Sequence, residues 1–304
     1  MPENYDDLFP NVEKTETKPS SAPKERLSDE DYAVKKKAER DDLSDIANRT
    51  EVEVTSDSGK FQQFLNTLAR FERYSTQNAL LIFAQRPAAT RLGDFEHWKA
   101  QDTFVNKGEL GIAIFEPGKE YKREDGTTGV SMNIKRVFDI SQTNAKDKVT
   151  PTPQVEIRTL LKALMSNSPA PIKLVDHLQN GEGAHYDEAR DVIEVVRGLD
   201  GDSLFRCLAQ EISYAELDHQ PTDTLQCNDK GFTAYAASYA ICAKYGIDTK
   251  GYDFAEVKDC FTGRDGKDIR GELKSIRDTV NDVAVRMAKG LEPQKKAPTQ
   301  EVRS

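Results

Sequence analysis

Residues 206–219, RCLAQEISYAELDH, hold the reading on which the fold turns. The stretch reads as one helix, and it sets Gln210 and Tyr214 one turn apart with Glu211 between them. Where such a pair is two histidines, the imidazoles share a helix face and grip zinc while the glutamate acts as base. Here only the glutamate keeps its place. An amide and a phenol stand where the imidazoles belong, so Glu211 has no metal-bound water to activate and reads as vestigial.

Outward from this helix the order of elements is regular. Before it come a helix by period, VEIRTLLKALMSN at 155–167, and two strand-like runs, PIKLVD at 171–176 and VIEVVRG at 192–198. The glycine-rich segment 179–191 between those runs reads as a turn. Asp202 or Ser203 offers a cap for the long helix. A further helix follows from Asp229. At 268–290 Ile269, Leu273, Ile276, Val280, Val283 and Met287 repeat at 4, 3, 4, 3 and 4, a short heptad seam expected to pack on its own core.

The first half has a different pattern. Phe61, Phe64, Leu65, Leu68 and Phe71 recur at three and four, which predicts an amphipathic helix from Asp57. Ser75 is an N-cap for a second helix that Pro87 ends, and a short third helix over 93–101 carries Trp98, the sole tryptophan. Strands are expected at 111–116 and 131–141, joined by a hairpin whose turn is Asp125-Gly126. The prolines and polar residues of NAKDKVTPTPQ, 144–154, mark a break. The domains expected are therefore 57–148 and 158–290, with a linker at 149–157, a disordered charged arm at 1–56 that includes a frayed helix near 29–48, and a tail at 291–304. The fold class is α+β.

The run RYSTQNALLIFAQRPAATRLGDFEHWKAQDTFVNKGELGIAIFEP, 73–117, closed by KRVFDISQT at 135–143, resembles the N-terminal domain of ArdC-type antirestriction proteins. Many separated positions agree in register. The second half resembles the zincin-like peptidase domain of ImmA/IrrE proteins. Matching that family's helix after the motif onto SYAICAKYGIDT places its third metal ligand at Tyr235. All three ligand positions, Gln210, Tyr214 and Tyr235, are then degenerate, and a neutral amide with two phenols is a poor set for zinc.

The first resemblance implies single-stranded DNA binding in a mobile-element setting. A groove for single strands needs cations along the phosphates and flat side chains under the bases. Candidates are Arg73, Tyr74, Asn78, Gln85, Arg86, Arg91, Lys107, Lys135 and Arg136. Taken by themselves, Tyr74 and Trp98 read as core aromatics. The net charge of −9 argues against coating duplex DNA by bulk electrostatics. Cys207, Cys227, Cys242 and Cys260 form no CxxC pair and read as buried thiols. No run approaches the ~20 apolar residues of a membrane span, and a cytoplasmic location without membrane contact is expected.

The expected function is a non-enzymatic single-strand-binding accessory or antirestriction-type protein of a conjugative or other mobile element, needing no cofactor. Its partners are single-stranded DNA and a protein of the element. The alternative is a hydrolase that keeps Glu211 and recruits zinc through His185, His219 or Asp218; a third reading is a scaffold in a DNA-transfer complex.

Overall fold

The computed structural model describes residues 28–123, 125–145, 155–221, 227 and 229–292. Two compact units are distinguished, residues 1–39 and 40–304. Of the first, the described part is the start of helix α1 (Asp29–Ser56), where Ser28 Oγ caps the Asp31 amide and Lys36 pairs with Glu39.

The C-terminal part of α1 departs from the expected arm. Leu43, Ala47 and Val54 are buried, and Thr50 and Glu51 with them. Their spacing of three and four gives the helix one packed face despite its charge. Disorder was expected because charged residues outnumber apolar ones, but these few well-placed side chains suffice to dock a helix. The remainder of the arm, 1–27, the linker segment 146–154 and the tail 293–304 lie outside the described residues.

Helix α2 (Ser58–Phe71) starts at Asp57, whose side chain accepts from the Lys60 amide, and buries the five apolar residues that set its period. Ser75 caps α3 (Thr76–Gln85) by accepting from the Asn78 amide. A two-residue strand β1 (Leu92–Gly93), which the sequence did not announce, precedes α4 (Phe95–Ala100). Strands β2 (Ile112–Lys122) and β3 (Thr128–Asp139) make an antiparallel hairpin, longer than expected, in a sheet of order β1-β3-β2.

After α5 (Ile157–Met165) a second sheet has the order β4-β6-β5, with β4 (Ile172–Val175) parallel and β5 (Ala184–Asp187) antiparallel to β6 (Val192–Val196). The expected turn at 179–191 thus contains a strand. Ala184 and Tyr186 face the core while His185 is exposed, so the period of two is present but only four residues long. Helices α6 (Gly201–Asp218), α7 (Lys230–Tyr245), α8 (Val257–Phe261) and α9 (Gly266–Leu291) follow among the described residues. Asp200, two residues before the first of the expected caps, caps α6 by accepting from the Asp202 and Ser203 amides. Leu273, Ile276, Val280, Val283 and Met287 of α9 are fully buried against the rest of the unit, as the seam suggested.

The apolar core crosses the expected domain boundary. Phe61, Phe64, Leu65 and Leu68 of α2 share one cluster with Ala236 and Tyr239 of α7, Phe254, Phe261 and Leu273 and Ile276 of α9. No helix among the described residues is long and apolar enough to cross a membrane.

Candidate functional site

Glu211 sits on the face of α6 turned to β5. As an edge strand, β5 leaves the Tyr186 amide unpaired in the sheet, and Glu211 Oε2 accepts from it at 2.8 Å. Burial pushes the Glu211 carboxyl up from its ordinary value, against the pull of that amide. A cavity of about 400 Å³ opens beside it, lined also by His185, Glu188, Cys207, Gln210 and Tyr214. Tyr214 donates to Glu188 Oε1 at 2.7 Å, and this bond, with burial, pushes the phenol up to about 12. Burial and the charge of Glu211 raise the Cys207 thiol, which disfavours the thiolate.

Tyr235 is elsewhere. It borders a smaller cavity of about 150 Å³ together with Arg206, Cys207, Gln210 and Tyr252, and its hydroxyl accepts the Asp253 amide at 2.8 Å. Gln210 is therefore common to two cavities, one holding Tyr214 and the other Tyr235. His185 is exposed and lies 3.6 Å from Glu182. Asp218 and His219 belong to a polar network at the end of α6: the Tyr186 hydroxyl is 3.0 Å from Asp191 Oδ1 and from Asp218 Oδ2, His219 Nε2 is 2.8 Å from Asp191, and Lys230 binds Asp218 at 2.6 Å. These ionic and phenolic groups satisfy one another. Among the described residues no group of three or more His, Cys, Asp or Glu side chains is placed to hold a metal ion. The donor set at 210, 214 and 235 does not fit zinc, which favours Cys, His and carboxylate, and both phenols already have hydrogen-bond partners.

In the first half, Arg73, Tyr74, Asn78 and Lys135 line a cavity of about 550 Å³ between the start of α3, the β1–α4 turn and the sheet. Lys135 is held there by Asp94 at 2.9 Å and Glu116 at 3.0 Å, and these hydrogen bonds raise its pKa. Neither acid was among the predicted site residues: Asp94 counted in the sequence only as one of the acids balancing the unit's charge, although it has a recognisable place as the cap of α4, accepting the His97 amide. Tyr74 is half-buried, with its phenol pushed up by burial. Arg73 is exposed.

The other candidates, Gln85, Arg86, Arg91, Lys107 and Arg136, lie outside that cavity's walls, and Asn78, although it lines the cavity, has its side-chain amide already engaged. Gln85 and Asn78 are turned to the edge of β2: the Asn78 side chain both donates to the Phe115 carbonyl and accepts its amide, at 2.8 and 2.9 Å, and Gln85 does the same for Ala113 at 2.9 and 2.8 Å. Arg86 contacts Ser141 and Glu109, and Arg136 donates to the Gly111 carbonyl. Arg91 bonds Gln101 and stacks over Trp98 at 5.3 Å. Lys107 is exposed. Trp98 is a core residue, 1% exposed, with Nε1 donating to the Phe138 carbonyl. Cys242 is buried, while Cys207, Cys227 and Cys260 are half-buried, and all four are free thiols.

Residues 46–160 match the family model of the N-terminal domain of anti-restriction factor ArdC. The match begins within α1, ahead of the boundary expected at 57. An uncharacterized protein of Bacillus anthracis, pXO2-81, is 27% identical over 266 residues, covering 70% of this chain and 45% of the relative. The chain thus spans less than half the length of that curated relative. Crystal structures of the antirestriction ArdC protein from the R388 plasmid, metal-free and Mn(II)-bound, superpose with a TM-score of 0.46. They are 16% and 15% identical to this chain, and the alignments cover 71% of it and 86% and 85% of theirs.

Proposed function

We propose that the protein is a non-enzymatic, cytoplasmic single-stranded-DNA-binding accessory of antirestriction type from a conjugative or other mobile element, whose second half is a peptidase-like fold without peptidase chemistry. The observation that carries this reading is the match of residues 46–160 to the ArdC N-terminal domain, coupled to a cavity within that segment that presents Arg73 and the Tyr74 ring. An exposed arginine supplies a phosphate contact and a half-buried ring supplies a face for a base. The uncoordinating set Gln210, Tyr214 and Tyr235 supports the absence of a metal cofactor.

Fluorescence anisotropy with a labelled single-stranded oligonucleotide and its duplex at moderate salt tests the reading. Preference for the single strand is expected, with Arg73→Ala weakening it by roughly fivefold through loss of one phosphate contact. Equal weak binding of both forms sinks it.

A second reading has its own support in Glu211, a half-buried carboxylic acid with a raised pKa at the wall of a cavity, which is the usual setting of a general acid or base. Stoichiometric zinc in the purified protein, with a hydrolytic activity lost in Glu211→Gln, would establish it. The expected result is a metal-free preparation.

A further inference from the structure

A third cavity, of about 530 Å³, lies where three helices meet: α1 at Asn48 and Glu51, the first turn of α3 at Thr76 and Gln77, and α9 at Arg270, Lys274 and Arg277. The three cations fall at i, i+4 and i+7, so one face of α9 presents them together. Leu273, Ile276 and Val280, all fully buried, lie on the adjoining face.

The polar groups on these walls are unbalanced in one direction. Thr76 Oγ1 and Arg277 Nε are buried and have no hydrogen-bond partner among the described residues. Both come from residues that line the cavity, and both can donate. The first amides of α3, at Thr76 and Gln77, have no carbonyl one turn earlier in the helix to pair with. A buried donor left without an acceptor costs free energy, so the walls call for an oxygen-rich anion.

The acids nearby do not fill that role. Asp278, on α9 itself, pairs with Lys274 at 2.8 Å and with Arg277 at 2.7 Å, and Glu51 is 3.4 Å from Arg270. Glu51 is the one carboxylate on the cavity walls, against the three cations there, while Asp278, Asp265 and Asp282 act on those cations from outside the walls. Glu51 is 4% exposed, and its burial raises its pKa, which weakens its claim on Arg270.

Ser75 is a wall of this cavity and also of the one that holds Arg73 and Tyr74. The two cavities therefore meet at the cap of α3. We propose that the cavity between α1, α3 and α9 is a phosphate-binding station for the same single strand, so that the C-terminal helix takes part in nucleic-acid binding. This rests on the single-strand reading above and extends it to residues outside the ArdC-matching segment.

The test uses the full-length protein and fluorescein-labelled oligo-dT, titrated by anisotropy across a salt series. Lys274→Glu reverses an exposed charge and Thr76→Val removes only the unpartnered hydroxyl; thermal melts verify folding. Lys274→Glu is expected to weaken binding by at least fivefold and to flatten the slope of log affinity against log salt by about 0.7, the loss of one single-strand phosphate contact. Thr76→Val is expected to weaken binding by about threefold with a melting midpoint that does not fall, since the hydroxyl it removes is buried without a partner, and it decides the matter should Lys274→Glu fail to fold. Wild-type affinity in both variants, alongside weakened binding in Arg73→Ala, would overturn this station and leave the proposed function standing. A wild-type protein that does not prefer single strands would overturn both.

Discussion

At Asp139 one carboxylate organises the end of a strand. It is 1% exposed and accepts the amides of Thr90 at 2.7 Å, Arg91 at 2.9 Å and Ser141 at 2.9 Å, while Gln142 closes a capping box onto its own amide. Burial pushes the carboxyl up, but the hydrogen bonds from Ser141, Arg91 and Thr90 outweigh it and hold the pKa below the ordinary value. A depressed folded pKa adds stability that is whole above the unfolded value near ~3.9 and is lost as pH falls through the folded one. Asp139→Asn is therefore expected to cost about 1–3 kcal/mol at pH 7, and its deficit relative to wild type should shrink as the pH is brought below about 4. Urea titrations at a series of pH values measure this; a deficit independent of pH would contradict it. The same residue shows what sequence can carry. The segment Val-Phe-Asp marked the end of a domain, and Asp139 with Gln142 is an open D-x-x-Q cap pattern, but two of the three amides come from 48 and 49 residues upstream.

Among elements, the junction of α3 with β2 explains why two candidate DNA contacts are spoken for. An edge strand exposes unpaired amides and carbonyls that invite another chain. Asn78 and Gln85, two helical turns apart on α3, use their side-chain amides as a partial partner strand, each satisfying both backbone groups of one β2 residue. The helix itself was legible, because Ser75 and Pro87 bracket an apolar run. The roles of its amides were not, because their partners lie 28 and 37 residues away and an amide on a helix reads equally well as a surface group. Strand β5 was hidden for a related reason: four residues just after Gly181 and Gly183 resemble a turn until β6 pairs with them. Asn78→Leu is expected to leave the Phe115 peptide group buried without partners and to cost about 2–4 kcal/mol. Gln85→Leu, at an exposed position, should cost less than half as much. Chemical denaturation of the two variants ranks them; equal losses would mean that the edge is not held in this way.

For the unit from Arg40 onward, the periodicities revealed which faces were apolar without revealing which faces met. The proline-rich break at 144–154 looks like a division between two cores, yet α2 lies against α7, and Phe61 packs its ring within 5.3–6.1 Å of those of Phe232, Phe254 and Phe261. Polar bonds follow the same seam: Tyr239 donates to Asn66, and Lys244 reaches both Glu72 and the Ala69 carbonyl. A helix pair that shares its largest aromatics transmits the loss of one half to the other, so the unit should unfold in a single transition. Trp98, the sole tryptophan, sits in the first half, whereas far-ultraviolet dichroism is dominated by helices from both halves. Tryptophan fluorescence and dichroism are expected to give coincident urea curves. Phe61→Ala, which empties a ring site at the seam, should move both curves to lower urea together, by about 3–5 kcal/mol in stability. If fluorescence and dichroism separate, or if the substitution shifts only one of them, the halves are independent domains that merely touch, and α9 could not serve a strand held on α3 with any fixed geometry.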